Sequence, residues 1–152
     1  MIKNHLSLLV LLVPLLAMPT GPASAFEQIN KSFFGGVALG GYDAVSYFTE
    51  AKAVEGDKAF SVQWQGASWL FSSDDNRRRF RADPKAFAPQ YGGYCSNQMS
   101  LANLSDIDPK VWRVIDHKLY LFGHEEGRVR WAEKTQLRIS EANRHWQTYL
   151  AR

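Results

Sequence analysis

Phe60-Ser61-Val62-Gln63-Trp64-Gln65-Gly66-Ala67-Ser68-Trp69-Leu70-Phe71, followed by Ser72-Ser73-Asp74-Asp75, is the passage on which the fold turns. Phe60 to Trp64 alternates apolar and polar positions, as a strand with one buried face does. Trp69 to Phe71 resumes the apolar run after Gln65-Gly66-Ala67, a tight connection, so the passage predicts a β-hairpin. The oxygens of Ser72, Ser73, Asp74 and Asp75 suit the free amides of a first helical turn, and the acids suit its positive end. A helix is therefore expected next, with Phe80 buried and the arginines at 77, 78, 79 and 81 mostly facing water.

Downstream, Asp83-Pro84 stops that helix and opens a short one carrying Phe87, ended by Pro89. Tyr91-Gly92-Gly93-Tyr94-Cys95 follows, with a glycine pair that permits a sharp turn or a close approach. Residues 96–109 are polar and read as a loop. Trp112 to Ile115 and Leu119 to Phe122 flank Asp116-His117-Lys118 as a second hairpin. Helices are expected over 125–134 and 140–150, with Val129, Trp131, Ala142, Trp146, Tyr149 and Leu150 forming apolar stripes. Upstream, residues 26–41 read as an extended lead-in and Ala44 to Phe48 as a short strand. No internal repeat is evident. Hairpins in place of long crossovers give the α+β class: a small antiparallel sheet packed by short helices and by C-terminal helices.

Residues 1–25 carry the marks of a cleavable secretory signal peptide. Lys3 precedes an apolar run from Leu6 to Ala17, too short to span a bilayer comfortably, and Ala23-Ser24-Ala25 supplies the small residues before a cut. A single domain over 26–152 is expected, periplasmic or secreted, without a membrane anchor. Eighteen Lys and Arg stand against 15 Asp and Glu, a near balance that disfavours nucleic acid as a partner.

The chain has one cysteine, Cys95, so no internal disulfide can form in a compartment that permits them. Cys95 is either buried and inert or present to react. Met99 is the nearby soft partner, and the two sulfurs form the candidate site for a soft metal ion of the Cu(I) type. His117, His124 and His145 are scattered and read as ordinary histidines. No catalytic constellation around Cys95 is complete, so nothing marks the chain as an enzyme. Asp43, after a glycine pair, reads first as a turn-stabilising carboxylate. Glycine-rich phosphate loops are absent from the sequence.

Gly41-Tyr42-Asp43-Ala44-Val45-Ser46-Tyr47-Phe48, Trp69 through Ser73 to Phe80, Asp83-Pro84 and Tyr91 to Cys95 together resemble the exported YHS-domain-containing (seleno)proteins, over nearly the whole segment after the leader. In the broader group, cysteines around the strand-helix element are associated with heavy-metal binding; the matching positions here are Ser72 and Ser73, which cannot ligate a soft metal. In the closer family, some members hold selenocysteine at the position of Cys95. The resemblance thus implies a redox-active or soft-metal-binding sulfur at Cys95, with a metal ion or a periplasmic redox partner. Tyr91 and Tyr94 would present it, and Tyr42 and Asp43 would approach it as ligand-binding residues.

Overall fold

The computed structural model describes residues 27–32 and 34–152. The expected leader and its expected cleavage site lie outside the described residues. Strands β1 (Asp57–Trp64) and β2 (Ala67–Phe71) form the first antiparallel hairpin, and β3 (Asp108–Ile115) and β4 (Lys118–Phe122) form the second. Trp64 pairs with Ala67 and Ile115 with Lys118, so each connection is a two-residue turn. Its central residues, Gln65-Gly66 and Asp116-His117, all have positive φ, the backbone that matches strand twist in such turns.

The helices are α1 (Ser46–Thr49), α2 (Asp74–Ala82), α3 (Pro84–Phe87), α4 (Ser96–Ser100), α5 (Glu125–Ala132) and α6 (Thr135–Leu150). Together with the hairpins they make the expected α+β fold, in which the strands form two separate two-stranded sheets. Among the described residues no helix is long and apolar enough to cross a membrane. Ser73 caps α2 by accepting from the Asn76 amide, and Asp83 caps α3 by accepting from the Ala86 amide with Pro84 in the first position.

Four local expectations are corrected. Ala44 to Phe48 turns into α1 because Asp43 Oδ1 accepts from the amides of Val45 and Ser46, tying off a helical turn that a short apolar run does not announce. Residues 96–100 form α4, which buries Met99 and, despite their polarity, Ser96, Asn97 and Ser100. Helix α6 begins at Thr135, earlier than its apolar residues suggest. Val129, 49% exposed, and Leu150, 40% exposed, lie outside the apolar stripe that holds Trp131 and Ala142.

A fifth expectation, that the chain holds no internal repeat, is also corrected. A constant shift of 51 positions carries β1-β2-α2 onto β3-β4-α5, taking Asp57 to Asp108, Phe71 to Phe122 and Phe80 to Trp131. Both first strands bulge between the aspartate and the fifth strand position. Asp57 Oδ1 accepts from the Ala59 amide at 2.8 Å and Asp108 Oδ1 from the Lys110 amide at 2.9 Å. Arg77 pairs with Asp74 as Arg128 does with Glu125. Trp69 and Phe71 lie 5.0 Å from Phe80 by ring centroid, and their counterparts Tyr120 and Phe122 lie 5.3 and 5.2 Å from Trp131. Upstream, Leu39-Gly40-Gly41 and Tyr91-Gly92-Gly93 share one backbone path, with φ of 55, 60 and 89° against 56, 61 and 85°. Each stretch leads into a tyrosine and then a short helix.

The two halves pack through β4. Leu119 and Leu121 join the core of the first half, around Trp69, Phe71 and Phe80, while Tyr120 and Phe122 on the opposite face join the second, around Met99, Trp131 and Ala142. Burial on both faces explains why β4 is almost uninterrupted in its apolar character.

Candidate functional site

Asp43 is wholly buried and every bond it makes is structural. Oδ2 accepts from the Ser72 amide at 2.8 Å, the Ser72 hydroxyl at 2.7 Å and Asn76 Nδ2 at 2.7 Å. A buried carboxylate surrounded in this way needs no counter-ion nearby, since amide and hydroxyl donors satisfy its lone pairs. Asp43 thereby joins the loop before α1 to the start of α2.

Cys95 holds the equivalent place in the second half. It follows the Gly92-Gly93-Tyr94 stretch as Asp43 follows Gly40-Gly41-Tyr42, and its Sγ accepts from the amide of Gly123, the counterpart of Ser72, at 3.3 Å. The positions of Ser72 and Asn76 are taken by Gly123 and Gly127, so one soft acceptor with one N–H donor replaces the carboxylate and its several donors. Cys95 is 3% exposed, packed in the cluster with Tyr91, Met99, Tyr120, Phe122, Trp131 and Ala142.

Met99 lies one helical turn on, its amide donating to the Cys95 carbonyl, and is fully buried. The two sulfurs of the candidate metal site therefore share one cluster. Among the described residues, no group of three or more His, Cys, Asp or Glu side chains could hold a metal ion. The donor set fits a resident metal poorly, because no imidazole or carboxylate joins the sulfurs and Sγ already accepts a backbone N–H. His124 instead caps α5, Nδ1 accepting from the Gly127 amide, and His145 Nδ1 lies 3.1 Å from the Met99 carbonyl.

Tyr42 and Asp43 do not approach Cys95. They belong to the first half, where Tyr42 donates to Glu55 and packs on the first core. The repeat explains the displacement: Tyr42-Asp43 occupies in one half the place that Tyr94-Cys95 occupies in the other.

Tyr91 and Tyr94 remain near Cys95, and Tyr91 also lines a cleft. Tyr94 donates to the Glu27 carbonyl and Tyr91 to Asn143 Oδ1 at 3.0 Å. Burial raises the phenol pKa of both, with Tyr120 adding to the effect at Tyr91 and Glu27 and Asp106 at Tyr94. The cleft, of about 360 Å³, lies between the turn of the first hairpin, the Tyr91–Gly92 loop, α6 and the segment at Gln28. Trp64 and Trp146 line it. Trp64 meets Trp69 and Phe80 edge-on, and Trp146 meets Tyr91 edge-on at 6.3 Å and Tyr94 at a tilt at 6.4 Å, contacts that hold both indoles at the cleft wall.

Gly92 makes this geometry possible. A Cβ there would stand 1.9 Å from the Gln28 carbonyl oxygen and 3.2 Å from the Trp146 ring, and φ is +61°. The close approach lets the Asn30 amide donate to the Gly92 carbonyl at 2.8 Å, seating residues 27–30 along the rim. A second cavity, of about 400 Å³, lies beyond that segment at Asn30, Leu39 and Pro109, and among the described residues no aromatic one lines it.

No family model, curated protein or solved structure matches this chain.

The tryptophan-lined cleft was not visible from sequence. Its walls come from four segments far apart in the chain, and Gln28, Gln65 and Gln147 carry no local signal. The glycine pair at 92–93 pointed to the right loop, although toward the sulfur behind it.

Proposed function

We propose that the chain is an exported, YHS-like domain that binds a small ligand in the cleft between Trp64 and Trp146, with Cys95 a buried structural thiol. The observation that carries this reading is the pair of pre-positioned indoles over a glycine floor, in a concavity of the size that takes small molecules. Binding demands no general base or nucleophile, in keeping with the lack of a catalytic constellation in the sequence. The N-terminal leader pattern supports export.

Screening a small-fragment library while following the indole N–H resonances tests the reading. Hits that shift Trp64 and Trp146 together, and lose affinity in Trp146→Ala, support it. Hits confined to other surfaces, or none, overturn it.

The second reading keeps the thiol at work, as a soft-metal ligand or a redox sulfur. It is supported by Met99 and Cys95 in one cluster, and it requires an ion or oxidant to reach a sulfur that is 3% exposed. Cu(I) binding by the reduced protein in excess of a Cys95→Ser control, or rapid alkylation of Cys95 in the folded state, would establish it. Equal Cu(I) binding together with alkylation only after unfolding would remove it.

A further inference from the structure

The cleft has a chemical character beyond its shape: among the described residues, none that lines it is charged. Five carboxamide side chains do, those of Gln28, Gln65, Gln90, Asn143 and Gln147. In a chain that is 22% charged, such a lining excludes recognition by ion pairing. An anionic ligand would lack the Arg or Lys that usually meets it, and a cationic one would lack a carboxylate.

A carboxamide offers a carbonyl acceptor and two N–H donors on one planar group, and a hydroxyl both donates and accepts. Neighbouring hydroxyls on one molecule can therefore each be matched, in either direction, by a carboxamide with no net charge. Asn143 is already oriented for this role, because Tyr91 donates to its Oδ1 and leaves Nδ2 to point elsewhere. Among the described residues no hydrogen bond engages the side-chain amides of Gln28, Gln65, Gln90 or Gln147. The indole of Trp64 supplies what carboxamides cannot, a flat apolar face against which the C–H side of a ring can lie.

We infer that the ligand is a neutral saccharide of one or two rings, its hydroxyls read by the carboxamides of Gln28, Gln65, Gln90, Asn143 and Gln147 and its C–H face lying on Trp64, beside Trp146. This rests on the ligand-binding reading of the same cleft. The volume, about 360 Å³, stands near the lower end for small-molecule sites and limits the bound portion to that size.

The test titrates the purified protein with maltose, cellobiose, lactose and N,N′-diacetylchitobiose. Parallel titrations use digalacturonate as an anionic sugar and N-phenyl-1-naphthylamine as an uncharged apolar probe. Indole N–H shifts and tryptophan fluorescence report on each. The expected result is that at least one neutral disaccharide shifts the Trp64 and Trp146 resonances, is not displaced by digalacturonate, and binds at least about 5-fold more weakly to Gln147→Ala and to Gln65→Ala. Both glutamines are exposed, so these variants keep the fold, whereas Trp146→Ala removes a half-buried indole packed on Tyr91 and Tyr94. If digalacturonate or the apolar probe moves both indoles and no neutral disaccharide does, the saccharide inference is overturned while the cleft remains a binding site. If no probe moves either indole, both are overturned.

Discussion

Ser72 gives both of its donors, amide and hydroxyl, to one oxygen of Asp43. The loop before α1 is held to the start of α2 by this pair of hydrogen bonds and by Asn76. Asp43→Ala would leave five donors without an acceptor, the amides of Val45, Ser46 and Ser72, the Ser72 hydroxyl and Asn76 Nδ2; the expected loss is about 3–5 kcal/mol in urea denaturation, while Asp43→Asn keeps part of the set and costs about 1–3 kcal/mol. A loss below about 1 kcal/mol for the alanine variant would contradict the structural role.

The sulfur counterpart should behave differently. Cys95→Ser retains an acceptor for the Gly123 amide and is expected to cost about 1 kcal/mol. Cys95→Asp places a carboxylate where Gly123 and Gly127 bring no hydroxyl or amide side chain, and is expected to cost several kcal/mol, roughly the effect of an under-satisfied buried charge. Denaturant midpoints of the two variants against the parent measure the contrast, and equal losses would show that Cys95 is not placed as Asp43 is.

How much of this could be read from the chain alone differs by element. Both hairpins were legible because alternation and turn residues are local signals, and the caps at Ser73 and Asp83 were legible for the same reason. Helix α4 was not, since Ser96, Asn97 and Ser100 are weak helix formers whose burial is a tertiary fact. The repeat was hidden because its structural positions change chemistry: Ser73 caps with a hydroxyl and His124 with an imidazole, and Asp43 ties a loop with a carboxylate where Cys95 uses sulfur. Cys95 was singled out from sequence, but a thiol's burial leaves no trace in the residues beside it.

Gly92→Ala should release the N-terminal segment. The added carbon meets the Gln28 carbonyl oxygen and adopts a backbone that costs alanine about 1 kcal/mol even without the clash. Hydrogen exchange at the Asn30 amide, which donates to Gly92, is expected to accelerate well before exchange in β4 changes. An unchanged Asn30 rate would show that residues 27–30 are held by something else.

Alkaline pH should destabilise the fold. Burial raises the Tyr91 pKa above the ordinary value of about 10, so the folded state keeps a proton that the unfolded chain gives up. The contribution is complete below pH about 10 and is lost as pH rises beyond it. Denaturation midpoints should therefore fall above that pH, less steeply in Tyr91→Phe; identical slopes would assign the effect to Tyr47, Tyr94 or Tyr120, whose phenols burial also raises.

The repeat has a consequence for the shape of the molecule. Two halves built on one plan need not be tied in the same way, and here they are not. The first retains a polar knot that tolerates little change; the second, relying on a single sulfur contact, accommodates α6 against its tyrosine-glycine loop, and that asymmetry creates a recess which two identical halves would not have.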